Sequence, residues 1–99
     1  MFIINGIEWK VEFTSLHNPI LNNHLGLCDN ATKTIYLANN LEGFMLKKVL
    51  CHEVVHAAMF SYHVSLSYEQ EEVIADIIAT YGNEIIDITN KVFKKLQSI

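Results

Sequence analysis

The chain is organised around the stretch from Cys51 to Ala58, which reads CHEVVHAA. Two histidines four residues apart, His52 and His56, enclose Glu53 in the pattern H-E-x-x-H. On an α-helix, residues four apart lie one turn apart on the same face, so both imidazoles can reach one ion beside that face. Glu53 is then close enough to act as a proton acceptor for a water at the ion. The spacing predicts a zinc site.

Helix signals surround this motif. Asn39 and Glu42 have the spacing of a capping box and precede an apolar run, so we expect a helix over about residues 40–62. Ser67 and Gln70 form a second capping-box pattern and predict the start of another helix. The turn between the two helices is only about five residues long, which predicts that they lie antiparallel.

The second helix brings acidic residues to the level of the histidine pair. Glu72 and Asp76 form E-x-x-x-D and share one helical face. At about 1.5 Å of rise per residue, both lie near the level of the motif in an antiparallel pair of helices. Glu71, Glu72 and Asp76 are therefore all candidates for a third ligand. Glu71 and Glu72 also suit a helix N-terminus, where acids stabilise the dipole.

The N-terminal part of the chain reads as strands. Alternation of apolar and polar residues predicts a strand over residues 7–13, and Asn5-Gly6 predicts a hairpin turn back to residues 2–4. Residues 25–28 and 34–38 flank a turn-rich segment and predict a second hairpin. We expect a small antiparallel β-sheet. If the last strand lies at the edge of the sheet, an extended peptide could pair with it.

The remaining segments are less regular. Tyr81-Gly82-Asn83 predicts either a kink or the end of the second helix, followed by a C-terminal amphipathic helix that covers the core. Residues 14–27 read as a loop, and we expect its two histidines, His17 and His24, on the surface rather than at the metal. Together the patterns predict an α+β fold and one domain over residues 1–99.

Composition limits the compartment and the partners. The net charge is −4, and all seven basic residues are lysines, so the chain lacks the arginines that nucleic-acid recognition favours. No apolar run approaches the length of a membrane span. Cys28 and Cys51 form no C-x-x-C pair, and we interpret both as small apolar residues rather than ligands. Without an export signal, reduced thiols predict a cytoplasmic protein.

An H-E-x-x-H helix followed by a helix with E-x-x-x-D resembles the gluzincin class of zinc metallopeptidases. More narrowly, the chain resembles the small ImmA/IrrE-type metallopeptidases associated with phages and mobile elements. The segments that carry this narrower resemblance are Gly26-Leu27-Cys28-Asp29, Thr34-Ile35-Tyr36-Leu37, the helix with His52 and His56, and Glu72-x-x-Ala75-Asp76-x-x-Ala79. They cover roughly residues 25 to 82.

The resemblance implies a zincin-like minimal domain that hydrolyses a peptide or protein substrate, with a regulatory protein as one such substrate. It assigns one zinc ion per chain to His52, His56 and Glu72, and the role of general base to Glu53. Asp76 would accept a hydrogen bond from the free ring nitrogen of a ligand histidine, which fixes the orientation of that ring.

A peptidase of this kind also benefits from a donor to the oxyanion that forms on the substrate carbonyl. The sequence provides four candidates without choosing among them: Tyr36, Tyr62, Tyr81 and His63. Two rival interpretations remain open. One is a zinc-binding interaction domain with little or no hydrolytic activity, and the other is a metal-free helical scaffold. The patterns do not indicate the oligomeric state.

Overall fold

Four strands come first along the chain and two helices follow. The computed structural model of the protein describes residues 1–98. Its elements are β1 (Phe2–Ile4), β2 (Ile7–Thr14), one short helical turn (Pro19–Leu21), β3 (Gly26–Asp29), β4 (Thr34–Ala38), α1 (Gly43–Ser61) and α2 (Tyr68–Gln97). The fold class is α+β, as the patterns predict.

The four strands form one sheet in the order β1-β2-β4-β3. β1 pairs antiparallel with β2 and β3 pairs antiparallel with β4, but β2 and β4 are parallel. The prediction of an antiparallel sheet is therefore wrong at its centre. The loop after β2 carries the chain past the neighbouring position to the edge, so β3 turns back and β4 enters beside β2 in the same direction.

The two predicted hairpins are both present. Asn5 and Gly6 have positive φ angles of 50° and 74°, the left-handed backbone that a two-residue primed turn requires. The second hairpin places β4 inside the sheet and β3 at its edge. β4 is accordingly buried at most of its positions. The condition that the last strand is an edge strand is not met, and β3 has the free edge instead.

The core lies between the sheet and α1. Trp9, Ile35, Leu37 and Ala57 are buried, and α1 contacts β3, β4 and β1. The indole nitrogen of Trp9 donates a hydrogen bond to the hydroxyl of Ser61 at 2.8 Å. This bond ties the C-terminal end of α1 to the sheet, so the face of α1 that carries the histidines has a defined position.

The start of α1 differs from the prediction. The helix begins at Gly43, and Glu42 at its N-cap makes no side-chain capping bond. Asn39 instead donates its backbone N–H to the carbonyl of Thr14 at 2.8 Å, and Leu41 donates to Ala38 at 3.2 Å. The backbone N–H of Asn39, which the predicted Asn39–Glu42 capping box would need, is therefore already bonded to β2.

The start of α2 is as predicted. The hydroxyl of Ser67 accepts a hydrogen bond from the Gln70 backbone at 3.1 Å, and the Gln70 side chain accepts one from the Ser67 backbone at 3.1 Å. Both bonds of the capping box are formed. They satisfy backbone donors that the first turn of a helix would otherwise leave unpaired.

The predicted break at Tyr81-Gly82-Asn83 is absent, because α2 runs unbroken from Tyr68 to Gln97. A glycine costs a helix only about 1 kcal/mol relative to alanine, which a helix of 30 residues tolerates. The prediction of a separate C-terminal helix over the core is therefore wrong. From residue 83 to residue 98 every side chain is exposed. Within residues 1–98, neither helix has the length and apolar character to cross a membrane.

Candidate metal centre

The two histidines of the motif lie side by side on α1. Their ring centroids are 4.9 Å apart, and their Nε2 atoms are 3.2 Å apart. His56 is buried and His52 is half-buried. Both Nε2 atoms therefore point toward one place beside the helix, as the four-residue spacing predicts.

α2 brings Glu72 to the same place. One carboxylate oxygen of Glu72 lies 2.7 Å from Nε2 of His56, and the other lies 3.3 Å from Nε2 of His52. The three residues each offer one ligand atom, and these atoms all lie within 4.8 Å of one another. The structure thus assembles the three ligands that the sequence resemblance implies into a group that could hold a metal ion.

The other ring nitrogen of each histidine contacts a second carboxylate of α2. Nδ1 of His52 lies 2.9 Å from Asp76, and Nδ1 of His56 lies 2.5 Å from Glu71. Such contacts select the tautomer that leaves Nε2 free as a ligand and hold the ring in place. Asp76 stands where the prediction puts it. Glu71, one of the alternatives for the third ligand, contacts the outer nitrogen of His56 instead.

The two outer carboxylates differ in their surroundings. The side chain of Glu71 is 15% exposed, whereas that of Asp76 is 71% exposed. A charge-assisted hydrogen bond is stronger where water does not compete for its partners. The contact between His56 and Glu71 is therefore the more rigid of the two.

Glu53 is buried beside the cluster, with 7% of its surface exposed. Burial raises its pKa, the nearby His52 and His56 lower it, and the negative charge of Glu72 raises it. The net pKa lies above the ordinary value of 4.5. Glu53 is thus a carboxylate that holds a proton more readily than an exposed glutamate does.

The edge strand β3 approaches Glu53 closely at Gly26. A side-chain carbon at position 26 would lie 2.8 Å from Val49 and 3.2 Å from a carboxylate oxygen of Glu53. Only a residue without a side chain lets the two elements come this near. β3 therefore borders the site at Gly26.

Two cavities flank the cluster. The first has a volume of about 520 Å³, and Phe60 and Tyr68 are among its lining residues. The second has a volume of about 390 Å³, and Met45 and Lys48 are among its lining residues. Both cavities are lined by His24, Gly26, His52, Glu53 and Glu72. The cluster therefore lies beside two spaces whose volumes fall in the range of small-ligand pockets, about 300–1,000 Å³.

His24 is the site residue that the sequence interpretation missed. It is exposed, as expected, but it lines both cavities, and it is among the groups that lower the pKa of Glu53. No motif spacing marks it, since it lies in an irregular loop 28 residues before His52. His17, the other loop histidine, is exposed and lines neither cavity.

The four predicted oxyanion donors lie elsewhere. Tyr62 and Tyr81 are exposed by 59% and 55%, and His63 follows the end of α1 with a positive φ of 55°. Tyr36 lies on β4 in the middle of the sheet. None of these four residues lines either of the two cavities.

Cys28 lines the larger cavity without joining the ligand group. Burial raises its pKa to about 12, and the charges of Glu53 and Glu71 add to this effect. The thiol therefore stays protonated at neutral pH, and a protonated thiol is a poor metal ligand and a poor nucleophile. This agrees with its interpretation as a small apolar residue.

The site combines three features: a set of ligand atoms that could hold a cation, a buried carboxylate, and a cavity on either side. Two imidazole nitrogens and one carboxylate suit a divalent transition metal ion, and three protein ligands leave further coordination positions open. Buried acids with a raised pKa beside such a group cluster at functional sites. Comparison of the chain with protein families, with characterised proteins and with solved structures gives no match.

Proposed function

We propose that the protein is a zinc-dependent peptidase with a zincin-like arrangement, in which α1 and α2 form an antiparallel pair around the metal site. The observation that carries the proposal is the convergence of His52, His56 and Glu72 within 4.8 Å beside the buried Glu53. A structural cluster would not need a buried acid with a raised pKa. A hydrolytic site does.

The donor set supports zinc, one ion per chain. Two neutral imidazoles and one carboxylate are a common set of protein ligands for catalytic zinc. The outer contacts of Glu71 and Asp76 complete the set, because a ligand histidine commonly donates its second N–H to a carboxylate. When bound, zinc supplies a Lewis acid that polarises a carbonyl and lowers the pKa of a water to about 7.

Glu53 is the general base in this proposal. Its carboxylate accepts a proton from the attacking water, and its raised pKa helps it to keep that proton. The protonated side chain then donates the proton to the nitrogen of the leaving amine. Burial of Glu53 against Gly26 holds the carboxylate in place for both steps.

His24 is the group that we assign to the oxyanion. It lines both cavities, whereas the predicted donors Tyr36, Tyr62, Tyr81 and His63 line neither. A protonated or neutral imidazole can donate a hydrogen bond to the developing negative charge.

An extended peptide is the substrate that best fits this geometry. β3 has a free edge, and its residues Gly26, Leu27 and Cys28 line the larger cavity. A peptide could pair with the backbone of β3 and place its side chains in the two cavities. The resemblance noted above makes a regulatory protein a reasonable substrate. The free thiols of Cys28 and Cys51 suit action in the cytoplasm.

The alternative is a zinc-binding interaction domain with little hydrolytic activity. The apolar side chains that α2 exposes after Gly82 favour it, because such surfaces mark protein contacts. Both functions require the metal, so only the chemistry of Glu53 separates them.

The test measures zinc content and peptide hydrolysis in the same samples. We expect about one zinc per chain by elemental analysis, and cleavage of a peptide library that a chelator stops. Glu53→Gln should keep the zinc and lose at least about 100-fold in rate, because general-base catalysis contributes roughly 10²–10⁴-fold. Glu8→Gln, at an exposed position of β2, is the matched control.

The outcomes separate the candidates. Full activity in Glu53→Gln would contradict the peptidase mechanism. Stoichiometric zinc without cleavage of any library peptide would favour the interaction domain. A wild-type protein without zinc, whose melting is unchanged by His52→Ala, would favour the metal-free scaffold.

A further inference from the structure

α2 carries a second apolar stripe that the domain leaves uncovered. Its members recur at intervals of four and three residues, the spacing of coiled-coil core positions. We name this stripe the α2 seam; it consists of Ile74, Ile78, Tyr81, Ile85, Ile88 and Val92. These side chains are between 36% and 55% exposed. The seam is a regular surface with the pattern of a helix that packs against another helix.

The seam is distinct from the face that packs against α1. On the side of α2 that packs against α1, Ala75 is fully buried and Ala79 is half-buried. At 100° per residue, the seam lies roughly a third of a turn around the helix from these small residues. A partner on the seam would therefore leave the contact between α1 and α2 intact.

The exposed area of the seam is close to what a dimer needs. Ile77 and Leu96 flank the seam and are 47% and 61% exposed. Ile74 has no seam residue opposite it in the pairing proposed below. The other seven large apolar side chains expose about half of their surface, roughly 600 Å² at about 175 Å² each, and the polar residues beside them add to the area that a dimer would bury. A stable interface buries about 800 Å² per partner, whereas the largest apolar patch of a typical monomer covers about 300–600 Å².

We propose that the seam pairs with the seam of a second copy of this chain, as an antiparallel two-helix coiled coil with two-fold symmetry. In the pairing that places Ile85 opposite Ile88 of the second copy, Tyr81 lies opposite Val92. Ile78 lies opposite Lys95, whose aliphatic stem can pack on it while the charged end stays in water. Glu84 and Lys91 border the seam on one side. Each precedes a core residue by one position, and in this pairing Glu84 faces Lys91 of the other copy. The symmetry forms this ion pair twice.

The charges disfavour the parallel arrangement. In a parallel pair, a residue at the position of Glu84 faces the one five residues later on the other helix. Glu84 would then face Thr89, and Lys91 would face Leu96. Neither contact is an ion pair. Only the antiparallel pairing places opposite charges across the seam.

The dimer does not depend on the metal. Glu71, Glu72 and Asp76 lie outside the seam, and the cavities beside the cluster involve the first part of α2 only. The proposal therefore goes beyond the peptidase function. It can be tested independently of that function, in protein with or without zinc.

The first test is sedimentation velocity over a range of protein concentrations. We expect wild-type protein to form a reversible dimer. Ile85→Lys should raise the dissociation constant at least about 100-fold, because it places two lysines in the buried centre. Phe44→Lys is the matched control, since Phe44 is an apolar residue of α1 with 74% of its surface exposed. It should change the constant by less than about 2-fold.

The second test reverses the charges. Glu84→Lys or Lys91→Glu alone should raise the dissociation constant about 5- to 30-fold, because each places two like-charged pairs across the seam. The double variant should return it to near the wild-type value. Glu84 and Lys91 are both exposed in the single chain, so circular dichroism should show the same helix content for the wild type, both single variants and the double variant.

Several results would overturn the proposal. A wild-type protein that stays monomeric at every concentration would do so, as would a dimer that survives Ile85→Lys. Single reversals without effect would exclude the antiparallel pairing, and a larger assembly would exclude the closed pair. A monomer that instead sediments with phosphatidylglycerol vesicles would show that a lipid surface covers the seam.

Discussion

The two halves of α2 belong to one continuous helix but differ in what they contact. The half from Tyr68 to Gly82 packs against α1 through small residues and carries Glu71, Glu72 and Asp76 to the histidines. The half from Asn83 to Gln97 is exposed along its whole length. It carries three of the six seam residues, Ile85, Ile88 and Val92, beside the exposed Ile86, Phe93 and Leu96.

The difference between the two halves shows that side-chain size determines how closely α2 can approach another helix. Ala75 and Ala79 let α2 approach α1, and the short distance brings the carboxylates of α2 within reach of the imidazoles. The isoleucines of the second half would hold a neighbouring helix further away, as core residues of a coiled coil do. The first half therefore builds a site inside the chain, and the second offers a surface to another chain.

The largest effect should follow from removing the ligand of the first half. Glu72→Ala should weaken zinc binding at least about 100-fold, beyond the 10–100-fold typical of an outer contact. Self-association should be unchanged. Competition with a chelating dye and sedimentation velocity measure the two properties. Glu84→Lys should instead weaken self-association and leave zinc affinity unchanged. A Glu72→Ala variant with the zinc affinity of the wild type would exclude Glu72 as a ligand.

A smaller effect should separate the two outer carboxylates. Glu71→Gln should lower zinc affinity by about 10- to 100-fold, because its contact with His56 is shielded from water. Asp76→Asn should lower it by less than about 10-fold, because water can replace a side chain that is 71% exposed. A larger loss of zinc affinity in Asp76→Asn than in Glu71→Gln would show that solvent exposure does not determine how much each contact contributes. The same dye competition is the measurement.

The close approach of the helices gives a stability prediction. Ala75→Leu should lower the free energy of unfolding by about 1–3 kcal/mol, because Ala75 is fully buried and the larger side chain would force α2 away from α1. Urea denaturation measures this. Ile86→Ala, at an exposed position outside the seam, should change it by about 0.5 kcal/mol or less. Equal losses would mean that the halves are equally packed.

The smallest effect concerns the stability that the metal-free protein loses when Glu53 ionises. The charge of Glu72, on the first half of α2, contributes to this loss. Burial and the charge of Glu72 raise the pKa of Glu53 above 4.5, so the folded metal-free protein binds this proton more tightly than the unfolded chain. Ionisation therefore costs stability as the pH rises through this range. Glu53→Gln should stabilise metal-free protein at pH 7 and lose this advantage below about pH 4.

Denaturation of metal-free protein at the two pH values measures that difference. Glu8→Gln, at an exposed position of β2, is the control and should show no such dependence on pH. A Glu53→Gln variant less stable than wild type at pH 7 would contradict the raised pKa.

Local patterns were enough to predict much of the site. The four-residue spacing of His52 and His56 requires only a helix, and the Ser67 capping box forms as its two residues predict. The hairpin at Asn5-Gly6 is equally local. The positions of Glu72 and Asp76 relative to the histidines could be predicted because the turn between the helices is short. Residues at similar distances from that turn then lie beside one another on the two helices.

Non-local packing decided the rest. The parallel pairing of β2 and β4, the position of His24 and the missing capping box at Asn39 all depend on segments that are distant in sequence. The signal at Gly82 was misleading, because glycine weakens a helix but does not end it when the flanking residues favour helix.

Sequence alone was sufficient for the strands, for the helical character of the two segments around the motif and for the placement of the histidine pair on one helix face, since these follow from side-chain spacing and from hydrogen bonds within a few residues. Tertiary structure decided the order of the strands, the outer contact of Glu71 with His56 and the exposure of the second half of α2. These features arise where distant segments meet, and the area available for burial, rather than local preference, determines which faces are covered.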